Sequence, residues 1–295
     1  MSHKAGFVNI IGNPNVGKST IMNALVGERL SIITSKVQTT RHRIKGIVTG
    51  PDFQIVYSDT PGILKPHYKL QESMMKFVDT ALSDADVILY VTDVKEDPEK
   101  NGEYIERIRK SEAAIIVLIN KIDLSNQEEV IRLFNYWSGV FPAATVFPVS
   151  ATEKFNLKPV FTRILELLPE NPPYFPEDEL TDRSERFFMQ EIIREKILLQ
   201  YQKEIPYSVE VEVEEFKADQ HMLNIRAVIY VERDSQKGII IGKGGTALKK
   251  VGSEARQEAE AFFGRKIFLE LFVKVAKEWR EKERTLRKFG YNDEG

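Results

Sequence analysis

The 295-residue chain has no cysteine, which excludes disulfides, thiol catalysis and cysteine-ligated metal sites. Histidine is scarce, and His3, His42, His67 and His221 are too scattered to suggest a zinc site. The longest apolar run, Ala113–Ile119, is far short of a membrane span. Met1–Gly6 lacks the apolar core of a signal peptide, so a cytoplasmic protein is expected. There is no excess of charge of either sign: 42 Lys and Arg stand against 44 Asp and Glu, a formal net charge of −2. That balance argues against indiscriminate polyanion binding, so any nucleic-acid contact has to come from a local basic patch. What is present, 42% hydrophobic and 29% charged residues, suits a globular protein long enough for two domains, each with its own core.

Up to about Leu168, short apolar runs alternate with amphipathic segments, the pattern of an α/β unit with a mostly parallel sheet flanked by helices. Strands are expected at Phe7–Ile11, Ile44–Thr49, Gln54–Ser58, Val87–Thr92, Ala114–Asn120 and Thr145–Val149. Helices are expected at Thr20–Val26, Gln71–Leu82, Gly102–Lys110, Glu128–Tyr136 and Leu157–Leu168. Pro169–Pro176 then places four prolines in eight residues, an extended and stiff connector. The expected division is 1–170, a proline-rich linker 171–180, and a smaller α+β unit 181–295. In that second unit a helix is expected from the cap signal Thr181-Asp182 through Leu198. Alternation predicts strands at Tyr207–Phe216, Leu223–Val231 and Lys266–Val275, with a helix at Thr246–Phe262 and a basic tail helix to Phe289.

Directly after the first strand, Gly12-Asn13-Pro14-Asn15-Val16-Gly17-Lys18-Ser19 fits the G-x-x-x-x-G-K-[ST] phosphate loop. Its glycines let successive N–H groups turn toward one anion, and the following helix adds its positive dipole end. Cofactor contacts are placed on Asn13, Asn15, Val16, Gly17, Lys18, Ser19 and Thr20. Lys18 would reach the β- and γ-phosphates, and the Ser19 hydroxyl would hold Mg²⁺. Asp59-Thr60-Pro61-Gly62 closes the third strand, where Asp59 suits a Mg²⁺-bound water and the Gly62 N–H suits a γ-phosphate. Asn120-Lys121-Ile122-Asp123 ends the fifth strand, at the sheet edge where such folds bind ligands. The Asp123 carboxylate can accept two hydrogen bonds from guanine but would face a lone pair on adenine. A site built for those bonds rejects the wrong base by roughly 10⁴-fold, which points to GTP and GDP over ATP. Ser150-Ala151 supplies small residues where a base needs close backbone approach.

In this order the four motifs resemble the translation-factor-related GTPases. The resemblance implies a switch loop at Gln38-Thr39-Thr40-Arg41-His42, in which a threonine closes on Mg²⁺ and the γ-phosphate. Thr40, just before the arginine, fits that role best, with Thr39 as the alternative. Ser19, Thr40 and Asp59 are thus the expected magnesium set, and Lys18, Thr40 and Gly62 the expected catalytic one. Ile63 stands where small Ras-like GTPases carry a water-orienting glutamine, so slow intrinsic hydrolysis is expected. Asn15 resembles the asparagine that binds K⁺ in related bacterial GTPases, making potassium stimulation a hypothesis.

In the second unit, Gly242-Lys243-Gly244-Gly245 is a G-x-x-G preceded by the apolar Ile239-Ile240-Ile241 and followed by a helix. Glycines allow close approach of a nucleic-acid backbone, and Lys243 at the tip can meet a phosphate. Between Ser235 and Ser253 there are four lysines (Lys237, Lys243, Lys249, Lys250) and no acidic residue, a local basic strip. The element order resembles a type II KH domain, a binder of single-stranded RNA or DNA. Expected RNA contacts are Ile240, Ile241, Gly242, Lys243, Gly244, Gly245, Lys249 and Lys250. The tail cations Lys274, Lys277, Arg280, Lys282, Arg284, Arg287 and Lys288 would either add backbone contacts or form a solvated face paired with glutamates.

A G domain joined to one KH domain, with Thr181–Arg186, Glu191–Lys196 and Glu204–Ser208, resembles the Era family of bacterial GTPases over nearly the whole chain. The resemblance implies a switch that binds small-subunit ribosomal RNA near its 3′ end and assists assembly of the small ribosomal subunit, and a monomer is expected. It also implies peripheral association with the inner membrane, for which only the basic tail offers an anchor. The competing reading is an RNA-binding assembly scaffold whose GTP site is mainly structural.

Overall fold

The computed structural model describes residues 3–291. The chain begins β1 (Lys4–Gly12), α1 (Lys18–Val26), β2 (Ile44–Gly50), β3 (Phe53–Asp59), α2 (Lys69–Ser83), β4 (Val87–Asp93) and α3 (Gly102–Arg109). It continues with β5 (Ala114–Asn120), α4 (Gln127–Val140), β6 (Thr145–Pro148) and α5 (Leu157–Leu167). These strands form one sheet in the order β2-β3-β1-β4-β5-β6, parallel except for β2, which runs antiparallel to β3. All seven residues of β4 are buried, because helices cover both faces of a parallel sheet and its central strands read as unbroken apolar runs. On α2 the buried Leu70, Met74, Phe77, Val78 and Ala81 recur at helical spacing and turn one face of the helix to the core.

The proline-rich segment is irregular and pinned along the sheet. The Gln54 side chain accepts from the Tyr174 and Phe175 N–H groups at 2.8 and 3.0 Å and donates to the Phe175 carbonyl at 2.9 Å. A short bridge pairs Gly46 of β2 with Thr181.

The second half comprises α6 (Glu185–Gln200), α7 (Ile205–Ser208), β7 (Glu210–Ala218), β8 (Met222–Val231), α8 (Asp234–Ile241), α9 (Thr246–Phe263), β9 (Lys266–Val275) and α10 (Glu283–Lys288). Its sheet has the order β7-β8-β9, antiparallel then parallel, over a core that includes Ile193, Val211, Ile225, Ile240 and Val251.

Three expectations are corrected. The first helix of this half is capped by Ser184, whose side chain accepts from the Phe187 N–H, and not by Thr181-Asp182; the Thr181 hydroxyl instead donates to the Lys45 carbonyl at 2.6 Å. The predicted strand start at Tyr207 is a helical turn, Ile205–Ser208, favoured by Pro206 at its first positions. The basic tail is no continuous helix. A single turn at Trp279–Glu281 precedes the six-residue α10. The buried Trp279, Leu286 and Tyr291 join the apolar cluster that contains Leu70 and Met74 of α2. The tail is therefore packed across the first half of the chain.

Candidate nucleotide site and GxxG surface

The loop between β1 and α1 opens a cleft of about 390 Å³ lined by Pro14, Asn15, Gly17, Lys18, Ser19, Thr20, Thr40, Gly62 and Lys121, among others. Gly17 has φ 97°, a left-handed value, and a Cβ there would lie 2.2 Å from the Asn120 amide nitrogen. Only glycine fits. The buried Lys18 ammonium donates to the Gly12 and Asn13 carbonyls at 3.0 and 2.8 Å. Burial lowers its pKa to about 8 against the opposing pull of Asp59.

Three oxygens converge below the loop. Ser19 Oγ lies 2.9 Å from Thr40 Oγ1 and donates to Asp59 Oδ2 at 2.6 Å; Thr40 Oγ1 lies 3.3 Å from the same carboxylate oxygen. Asp59 Oδ1 is buried with no hydrogen-bond partner among the described residues. Burial also pushes the Asp59 carboxyl above its ordinary range. Thr39 is elsewhere: its hydroxyl donates to the Lys36 carbonyl at 2.6 Å and meets Thr34 Oγ1 at 2.7 Å. Thr40, of the two threonines, thus stands beside Ser19 and Asp59.

At Gly62 a Cβ would meet the Pro14 backbone at 2.7 Å, so this turn after β3 lies directly against the phosphate loop. The next residue, Ile63, is buried in the core and its N–H donates to the Gly12 carbonyl at 3.1 Å.

The remaining motifs meet at the ends of β5 and β6. The Asn120 side chain donates to the Val16 carbonyl at 2.8 Å and accepts from the Ala151 N–H at 3.1 Å, tying the phosphate loop to the Ser150-Ala151 turn. Ser150 Oγ donates to Asp123 Oδ1 at 2.6 Å and steadies the carboxylate of an exposed residue. Lys121, in a left-handed conformation, donates to Asp93 Oδ2 at 2.6 Å and to the Asn15 carbonyl. Asp93 belongs to none of the sequence motifs. Its signal is its place at the C-terminal end of an apolar central strand, in register with Asn120. Asn13 bonds Asn101, a second partner the motifs do not name.

In the second half, α8 and α9 are joined by Gly242–Gly245. Gly242, Gly244 and Gly245 take φ values of 71°, 59° and 76°. Lys243, Lys249 and Lys250 are exposed around this turn, and Lys250 alone of the three stands near a carboxylate, 3.9 Å from Glu254, among the described residues. The expectation for Ile240 is corrected. It lies on the inner face of α8, fully buried in the core, and has no surface to offer a base. Ile241 is half-buried against the same core, whereas Ile239 is exposed. The tail cations are largely paired: Lys274 with Glu214 at 2.9 Å, Lys288 with Glu212 at 2.5 Å, Lys282 with Glu278 at 3.9 Å, and Arg280 with Glu232. Among the described residues no helix is long and apolar enough to cross a membrane.

The segment between α1 and β2 also meets the second half through three arginines. Arg29 bonds Glu195 of α6 at 2.7 Å and pairs with Glu258 of α9. Arg41, fully buried, donates to the Val209 and Pro206 carbonyls at 2.7 and 3.0 Å and to Glu210 at 3.1 Å. Arg194 of α6 donates to the Thr39 carbonyl.

This fold and these sites define a P-loop GTPase carrying a C-terminal KH-type unit. Family models agree: "50S ribosome-binding GTPase" matches residues 7–121 and "KH domain" matches residues 204–280. The chain is 43% identical to the GTPase Era of Staphylococcus epidermidis over 291 residues, covering 98% of this chain and 97% of the relative. It is 42% identical to the GTPase Era of Clostridium kluyveri over 290 residues, covering 98% and 99%. A crystal structure of Era in complex with MgGDPNP and nucleotides 1506–1542 of 16S ribosomal RNA superposes with a TM-score of 0.93 at 40% identity, covering 98% of this chain and 99% of that one. A single-residue variant of Aquifex aeolicus Era bound to GDP·AlF4⁻ matches equally well, with the same TM-score of 0.93. The chain belongs to the GTPase Era family and is a GTPase.

Proposed function

We propose that this GTPase is a nucleotide-controlled RNA-binding switch, acting on small-subunit ribosomal RNA near its 3′ end and assisting assembly of that subunit. The observation that carries the reading is the convergence of Ser19, Thr40 and Asp59, with one buried carboxylate oxygen of Asp59 unpartnered among the described residues. Hard oxygen donors with an unsatisfied anionic atom fit Mg²⁺. Ser19, Thr40 and Asp59 would hold the ion, which neutralises charge on the phosphates during transfer. Lys18 and the N–H groups of Asn13 and of Asn15 to Thr20 cradle the phosphates, and Gly62 meets the terminal one. Asp123 reads guanine, with Asn120, Lys121, Ser150 and Ala151 shaping its pocket. Because Ile63 is buried and aliphatic, no side chain at that position orders water, and intrinsic turnover is slow.

RNA engages the Gly242–Gly245 turn through close backbone approach, with Lys243 and Lys249 on its phosphates. An Era protein crystallised with both a GTP analogue and the 16S ribosomal RNA 3′ segment, at 40% identity to this chain, supports the same pairing of ligands here. The test is RNA affinity at fixed salt with GDP or a non-hydrolysable GTP analogue bound. Tighter binding in the analogue state supports the switch. Equal binding in both states replaces it with a scaffold whose GTP site is structural.

A further inference from the structure

We infer that Arg194, on the first helix of the KH-bearing half, is a positioning residue for the GTP site: it fixes the Thr39–Thr40 main chain and so holds the Thr40 hydroxyl against Ser19 and Asp59. This inference rests on the reading of Ser19, Thr40 and Asp59 as the magnesium-binding set.

The Arg194 side chain is 1% exposed. Its Nε donates to Glu191 Oε1 at 2.7 Å, one turn earlier on α6, and this fork aims Nη2 at the Thr39 carbonyl. A buried guanidinium cannot drift, because every lost bond leaves a desolvated charge. On the other side of Thr40, Arg41 is locked to the Val209 and Pro206 carbonyls of the α7–β7 corner. The next residue, His42, stacks on Tyr291 with ring centroids 4.3 Å apart. The main chain on either side of Thr40 is therefore held from the second half of the chain, through the Thr39 carbonyl and the Arg41 side chain, while the Thr39 hydroxyl bonds within its own loop to Thr34 and Lys36. The side-chain contacts of Thr40 with the nucleotide half run through the hydroxyl that meets Ser19 and Asp59. GDP, which lacks the γ-phosphate, needs no contact from Thr40. Arg194 should thus govern triphosphate binding and turnover and leave diphosphate binding alone.

The experiment uses the full chain and fluorescent GDP and GTP analogues with Mg²⁺. Arg194→Met is expected to weaken the GTP analogue roughly tenfold, as a smaller fraction of molecules presents Thr40, and to cut kcat by about 10²-fold, with GDP affinity unchanged. Because Arg194→Met alone strands the Glu191 charge, the paired replacement Glu191→Met with Arg194→Met removes both charges at similar volume and gives the same split. In the background of Thr40→Ala, the Arg194 substitution should add little, since both act through one hydroxyl. Equal losses for GDP and GTP analogue, unchanged analogue affinity, or full additivity with Thr40→Ala would overturn the inference. If Thr40→Ala itself leaves analogue affinity intact, the magnesium-site reading fails first and the inference falls with it.

Discussion

Replacing Ile240 with alanine separates two accounts of the apolar run before the GxxG turn. The side chain is fully buried among the core residues of the second sheet, and the Ile240 carbonyl accepts from the Tyr201 hydroxyl at 2.9 Å. The substitution removes about three methylene equivalents, worth roughly 2.4 kcal/mol in transfer, and leaves a cavity whose lining relaxes only in part. The expected destabilisation is about 3–4 kcal/mol, within the range of buried aliphatic truncations. In urea titration followed by circular dichroism this lowers the midpoint of the second unit by roughly 1–2 M. Below its transition the variant should bind RNA as the parent does, because the lysines and glycines of the turn are unchanged. Ile239→Ala is the control: that side chain is exposed, so stability should hold while RNA affinity falls. An Ile240→Ala protein of undiminished stability and weakened RNA affinity would refute the assignment of this side chain to the core.

Other perturbations read the two sites and the contact between them. Asp123→Asn keeps the shape but offers a donor where guanine also donates, so GTP affinity should fall by roughly 10⁴-fold and xanthine nucleotides should bind in its place; an unchanged base preference in competition titrations would refute the pocket. Gly242→Asp places a Cβ 2.6 Å from that of Ala247 at φ 71° and adds a negative charge, so filter binding should show RNA affinity lost with GTP affinity intact. Arg29→Ala reads the charged contact with α6. Burial alone would raise the Glu195 carboxyl, but the Arg29 hydrogen bonds and charge outweigh it and the folded pKa lies below the ordinary 4.5. That stabilisation is present above the unfolded pKa and lost as pH falls through the folded one. With Arg29 half exposed, its removal should cost about 1 kcal/mol near pH 7, and the difference between variant and parent should shrink from about pH 5 downward; a constant difference across that range would exclude the ion pair as its source. Equal turnover in sodium and potassium buffers would remove the proposed K⁺ role of Asn15.

The nucleotide site is legible in the sequence because each of its motifs does local chemistry at a strand end. Gly17 must be glycine, Lys18 must be a cation and Asp59 must be a carboxylate wherever the rest of the chain goes. Alternation and helical spacing likewise locate the strands that carry them, with ends shifted by up to three residues. Misreadings fall where a local pattern has two outcomes. Ile239-Ile240-Ile241 reads as the flank of a loop, although it is the last turn of α8, where only one side of the helix faces out. In the tail the cations dominate the pattern, and Trp279 and Leu286, seven residues apart, fit one face of a continuous helix, while Tyr291 would fall about 120° off that face. A tryptophan within a charged run is the signal available, since burial of so large an apolar surface needs a partner elsewhere in the chain.

The contacts between the two halves are illegible for a further reason. Nothing in the sequence marks Arg41 and Arg194 as buried, because buried arginine is rare and, besides Glu210 and Glu191, their acceptors are main-chain carbonyls that no side-chain pattern reveals. Chemistry divides the interface into two kinds of contact. Trp279, Leu286 and Tyr291 bury apolar area in the cluster built on α2, an attraction that barely depends on the position of any one atom. The arginine contacts to Thr39, Val209 and Pro206 depend on geometry within tenths of an ångström and lose most of their worth when a carbonyl turns away. A γ-phosphate that repositions Thr40 moves the Thr39 carbonyl with it, so the arginine contacts must respond while the apolar contact keeps the halves together. Coupling through such an element is reciprocal: a bound nucleotide that changes RNA affinity requires RNA to change the affinity for that nucleotide by the same factor.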